Sequence, residues 1–127
     1  MAEYYNVFLD DCRKPLNDTR TWTVIKSYKE FVKIITDRGL PQFISFDHDL
    51  STEHYKIGHV RAFTNEDYQS VKEKTGFHCA QWLVDYCMDK KLPLPDYQVH
   101  SMNPDGKKNI ISLLESFKKH QKEENGE

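Results

Sequence analysis

The chain has 127 residues, room for one domain core and not two, and its 18 Lys+Arg against 20 Asp+Glu leave a formal net charge of −2. That balance excludes the broad cationic face that sequence-independent binding to duplex DNA needs, and no apolar run approaches the roughly 18 residues of a membrane span. Aromatic residues at 13% supply area for a folded core although mean hydropathy is only −0.77, and three cysteines (Cys12, Cys79, Cys87) without metal-type spacing suit a reduced, cytoplasmic protein.

In chain order, the apolar run Tyr4 to Leu9 predicts a buried strand that ends in Asp10 and Asp11. Pro15 and the polar stretch through Arg20 break the chain before a second short strand, Trp22 to Ile25. The ten residues between Asp11 and Trp22 are too few for a good helix, so the first helix is expected to be degenerate. From Tyr28, Phe31, Val32 and Ile35 recur at helical spacing, with Gly39 and Pro41 as stops. Phe43 to Phe46 is a third buried strand, followed by Asp47, His48, Asp49 and Leu50. Residues 51–75 form a polar insert without an apolar period, of a length that in a small domain is functional or disordered. Within it Thr64 and Asp67 have capping-box spacing for a short helix from Asn65, and His54, Tyr55, His59 and Arg61 are candidates to close over a ligand as a lid.

Thr75 caps an amphipathic helix through Phe77, Ala80, Leu83, Val84, Cys87 and Met88, placing Cys79 and Cys87 in the core together with Trp22 and Trp82. Tyr97 to Ser101 predicts the last strand. Asn103-Pro104-Asp105 then starts a helix whose Ile110, Ile111, Leu114 and Phe117 face inward. One domain over 1–117 results, with a charged, disordered tail at 118–127. Strands alternating with helices predict an α/β fold with a short, mainly parallel sheet of about four strands.

Open sheets of this kind bind ligands at the carboxyl ends of their strands. Three predicted strands end there in catalytic residue types: Asp10 and Asp11; Asp47, His48 and Asp49; His100 and Ser101. Clustered carboxylates repel unless a cation joins them, and a hard divalent ion, Mg²⁺ or Mn²⁺, takes oxygen ligands and screens phosphate. Asp10, Asp11 and Asp47 are the candidate ligands. His48 and His100, with Asp47 and Asp49, are the candidate catalytic groups, histidine being the side chain suited to proton transfer near neutrality. Arg13, Ser101 and Asn103 are candidates to hold phosphate oxygens, and Gly106 leaves room for close approach at the helix start. Zinc is disfavoured: there is no Cys-x-x-Cys and no His-x-x-x-His helix with a Glu partner.

The strings F-L-D-D-C-R-K-P at 8–15, I-S-F-D-H-D-L at 44–50, T-G-F-H-C-A-Q-W-L at 75–83 and H-S-M-N-P-D-G at 100–106 together resemble the cyclic-phosphate processing receiver-like family. This resemblance spans Val7 to Leu114. It implies a flavodoxin-like, receiver-type three-layer sandwich, with Asp10 and Asp11 on the receiver metal-binding pair, Asp47 at the phospho-acceptor position and Ser101 where receivers contact the phosphoryl group. The chain departs from receivers in lacking a lysine after a fifth strand, and in adding His48, Asp49 and His100. The expected function is a metal-dependent phosphoesterase that opens a cyclic phosphate on a nucleotide or an RNA 2′,3′-cyclic end. The alternative is a non-enzymatic module, phospho-accepting at Asp47 or binding nucleotides without turnover.

Overall fold

Four short strands, β1 (Asn6–Leu9), β2 (Trp22–Ile25), β3 (Phe43–Phe46) and β4 (Asp96–Val99), pair in the order β2-β1-β3-β4, every pair parallel. The computed structural model describes residues 5–11 and 21–124. Order reverses between β1 and β3, where a doubly wound sheet opens its binding crevice. The expected four-stranded, receiver-like α/β fold is what the chain adopts.

Side chains alternate across a strand, and the in-register partners of parallel strands share a face. Val7 and Leu9, Ile44 and Phe46, Val99 and Ile25 therefore stand on one face, and all of them belong to the buried core. Three helices close that face: α1 (Tyr28–Arg38) through Phe31 and Ile35, α4 (Gly76–Lys90) through Ala80, Leu83 and Cys87, and α5 (Pro104–Glu124) through Ile110, Leu114 and Phe117. Phe8, Ser45, Gln98 and Phe43 occupy the opposite face, where Trp22 meets both Phe8 and Phe43 edge-on. The helix starts are capped where the sequence predicts: Thr75 Oγ1 accepts from the backbone N–H of Phe77 at 3.1 Å, and Asn103 Oδ1 from that of Gly106 at 2.9 Å.

Three expectations need correction. The insert is not a bare loop: besides the expected α3 (Asn65–Ser70), it forms α2 (Thr52–Val60), capped by Ser51. No apolar period announces α2, because its anchor is polar. The buried His54 ring accepts from Leu50 N–H at Nδ1 (2.8 Å) and donates from Nε2 to the Glu73 carbonyl (2.5 Å). An aromatic cluster of Phe63, Tyr68 and Phe77 then packs the insert onto His48. Second, α5 does not end at Phe117 but continues to Glu124 through the segment expected as a tail, where Gln121 Nε2 ties it to the Leu92 carbonyl at 2.9 Å. Third, the last strand stops at Val99, so His100 and Ser101 follow it rather than belong to it. The degenerate first helix and Cys12 fall outside the described residues.

Candidate functional site

Strand register builds the site. Phe8, Ser45 and Gln98 are aligned across β1, β3 and β4 on the face away from the helix core. Two residues on, the same face and the same alignment are reached by Asp10, Asp47 and His100. Backbone bonds carry the ladder that far: Asp10 N–H donates to Ile25, Asp47 N–H to Leu9 and His100 N–H to Phe46. One ligand-type atom from each of Asp10, Asp47 and His100 lies within 4.8 Å of the other two, the one such cluster among the described residues. Both carboxylates are buried, and the His100 side chain is 18% exposed.

His100 is held on both ring nitrogens. Its Nε2 lies 3.0 Å from Asp10 Oδ2 and its Nδ1 2.7 Å from Ser45 Oγ, while Gln98 Nε2 donates to the same Ser45 oxygen at 3.0 Å. An ionised Asp10 only accepts, so Nε2 carries the proton and Nδ1 accepts from the Ser45 hydroxyl. The donors thus run in one direction, from Gln98 through Ser45 and His100 to Asp10. Phe8 stacks on the imidazole with centroids 4.4 Å apart and planes 8° from parallel. Ser45, Gln98 and Phe8 were not among the residues expected at the site. A buried serine inside an apolar strand, two residues before Asp47, was the available signal, as was Gln98 two residues before His100.

The other expected site residues go elsewhere. His48 is fully buried on the helix side; its Nδ1–H meets Asp49 Oδ1 at 2.7 Å, and its Nε2 accepts from the Tyr68 hydroxyl at 2.9 Å. Asn109 donates to that same hydroxyl, and burial pushes the Tyr68 pKa up to about 12. Asp49 also accepts from Asn103 Nδ2 at 3.3 Å. His48, Asp49 and Asn103 therefore form a buried strut between β3, the insert and the start of α5. The room at Gly106 is filled by the His48 ring, since a Cβ there would stand 2.4 Å from the imidazole Cγ. Ser101 Oγ accepts from Asn103 N–H at 3.1 Å. Asp11 lies outside the three-residue cluster and accepts from the Tyr55 hydroxyl at 3.1 Å. Burial, reinforced by the charges of Asp47, Asp11 and Asp10, raises the Tyr55 pKa. Arg13 is outside the described residues. Of the expected lid residues, Tyr55 and His59 line an open groove between α2 and the start of α5, His54 is buried, and Arg61 pairs with Asp67.

A parallel sheet in this order, with an acid pair after its first strand and an acid after its third, defines a receiver-like α/β domain with a histidine added at the site. The chain matches the family model of the cyclic-phosphate processing receiver domain over residues 5–116 and belongs to that family. No curated protein and no solved structure gives a significant match. No described helix is long and apolar enough to cross a membrane.

Proposed function

We propose that the protein is a metal-dependent phosphoesterase that hydrolyses a cyclic phosphate on a nucleotide or an RNA 2′,3′-cyclic end. The observation that carries this reading is the convergence of Asp10, Asp47 and His100 at one strand-end site, in a chain of a cyclic-phosphate processing family. The donor set fits a hard divalent cation such as Mg²⁺ or Mn²⁺: two buried carboxylates supply the oxygens such an ion prefers. Bound there, the cation would screen the phosphate charge and stabilise the charge that develops on its oxygens.

Asp10 and Asp47 hold the ion, and His100 moves the proton. Its Nε2–H points into the acid pair, with Ser45 and Gln98 fixing the tautomer from behind. In the reaction water attacks phosphorus and passes one proton to the neighbouring Asp47 carboxylate. The bond to one ring oxygen breaks, Nε2–H protonates that leaving sugar oxygen, and the proton on Asp47 returns to Nε2. The products are a phosphomonoester and a free hydroxyl. The buried His48–Asp49–Asn103 strut acts as a positioning group that keeps Asp47 in place. Ser101, and Arg13 by its motif position, remain the candidates for the phosphate oxygens.

The test is incubation with 2′,3′-cyclic nucleotides, 3′,5′-cyclic nucleotides and cyclic oligonucleotides in Mg²⁺ or Mn²⁺, at enzyme concentrations near those of substrate. Turnover of one class, abolished by His100→Ala, is the expected result. Turnover of none overturns the enzyme reading, and acetyl phosphate labelling that is lost in Asp47→Asn would replace it with a phospho-accepting receiver.

A further inference from the structure

We infer that the groove between α2 and the β4–α5 connection seats the nucleobase of the substrate, so that this site distinguishes nucleoside phosphates from base-free ones by stacking. The inference rests on the proposed cyclic-phosphate reading and names its substrate class.

The groove has a volume of about 750 Å³, within the range of small-molecule sites. One wall is α2, through Tyr55, Lys56 and Val60; the other is the connection, through Met102, Asn103 and Pro104. Val60 is 80% exposed and Met102 82%. Two large apolar side chains from separate elements, both held out into water around one cleft, mark a place where an apolar surface is covered on binding. The cleft reaches toward the end of β1, because Tyr55 lines it while its hydroxyl donates to Asp11, the residue next to Asp10. A phosphate at Asp10 and Asp47 would therefore carry the rest of its molecule past the Tyr55 ring. Lys56 adds a cation to the α2 wall.

The walls also limit what can be read. A thioether, an aliphatic side chain, a proline and an aromatic ring recognise the flat face of a base, which every base has, and not its edge pattern. Preference for a base over none, with weak discrimination among bases, follows. This gives the insert a role: His54 and the Phe63–Tyr68 cluster fix α2 as a rigid wall.

The experiment compares equilibrium binding of adenosine 3′-monophosphate, cytidine 3′-monophosphate and glycerol 2-phosphate in Mg²⁺, for wild type and the double variant Val60→Ser/Met102→Ser. Both substituted side chains are exposed, so the variant's melting temperature is expected to match wild type. The two nucleotides are expected to bind about tenfold tighter than glycerol phosphate, with the preference falling severalfold in the variant. Equal binding of all three, binding of none, or a preference that the double variant retains would overturn the inference. Turnover separates the two readings. Base preference without hydrolysis of any cyclic phosphate removes the phosphoesterase and leaves the groove. Hydrolysis of glycerol 1,2-cyclic phosphate with the same KM as adenosine 2′,3′-cyclic phosphate leaves the phosphoesterase and removes the groove.

Discussion

His100 and Asp10 follow strands that are not neighbours, β4 and β1, with β3 between them, yet Nε2 of one lies 3.0 Å from Oδ2 of the other. Two inter-strand gaps span roughly 10 Å of sheet, so both side chains must lean inward over the end of β3. Asp47 stands there, and the contact thus closes a three-sided site over it.

Asp10 and Asp47 are the proposed ligands of a divalent ion, and an ion that binds the native state alone stabilises it. At a hundredfold excess over the dissociation constant, Mg²⁺ or Mn²⁺ should add about 2–3 kcal/mol, a rise of roughly 5–10 °C in melting temperature for a domain of this size. Asp47→Asn should lose most of that rise. Melting curves at pH 7.5 in EDTA, Mg²⁺ and Mn²⁺ decide it, and curves that do not move with metal in wild type remove Asp10 and Asp47 as ligands.

Ser45 carries no chemistry of its own in this account but sets the His100 tautomer. Ser45→Ala strands the Gln98 amide and leaves Nδ1 without its donor. The cost to stability should be about 1–3 kcal/mol, and kcat should fall about tenfold or more with metal affinity little changed. A kcat–pH profile shifted relative to wild type would separate this positioning role from simple loss of packing; an unchanged profile and an unchanged kcat would refute it.

The insert should be acid-sensitive. His54 and His78 share one arrangement, with Nδ1 accepting a backbone N–H (Leu50, Thr75) and Nε2 donating to a backbone carbonyl (Glu73, Tyr68). Both rings are therefore neutral, and burial lowers both pKa values. Asp49 and Glu53 oppose that at His54, where the His48 ring adds to it; Lys74, His54 and His48 add to it at His78. The folded values lie below the unfolded value of about 6.5, so below that pH the unfolded chain binds more protons. Stability is complete above about pH 6.5 and declines as pH falls toward the folded values. Thermal melts from pH 7.5 to 5.5 should show the decline, less steeply in His54→Gln. Amide exchange should place the earliest opening in residues 51–75, and exchange that stays uniform across the chain at pH 5.5 would contradict the assignment.

Gly76 fixes how close α4 comes to the site. Its N–H donates to the His48 carbonyl at 2.8 Å, and an added Cβ would stand 1.7 Å from the Asp47 carbonyl oxygen. Backbone cannot yield as a flexible side chain does, so Gly76→Ala should push α4 away and cost at least about 2–3 kcal/mol. Denaturant unfolding measures this, and a loss below about 0.5 kcal/mol would mean that the helix start tolerates displacement.

The sequence by itself determined the elements that local chemistry specifies. Short apolar runs such as Phe43-Ile44-Ser45-Phe46 make buried strands, and Thr or Asn at Thr64, Thr75 and Asn103 starts helices. It also showed that polar residues of catalytic type cluster after three of the strands. It could not sort them, because adjacent residues at a strand end point to opposite faces, and only the register against neighbouring strands says which belong together. That register put Asp10, Asp47 and His100 on one side. His48 takes the other side, and the bend at that residue carries Asp49 out of the alternation and into a buried strut with His48, Tyr68 and Asn103. The helix α2 was hidden for a related reason: a buried histidine bonded to the nearby Leu50 N–H and to the distant Glu73 carbonyl replaces the apolar stripe that periodicity detects. Tertiary structure decided these points because pairing across strands and burial of a polar ring depend on residues far apart in the chain, which no local window contains.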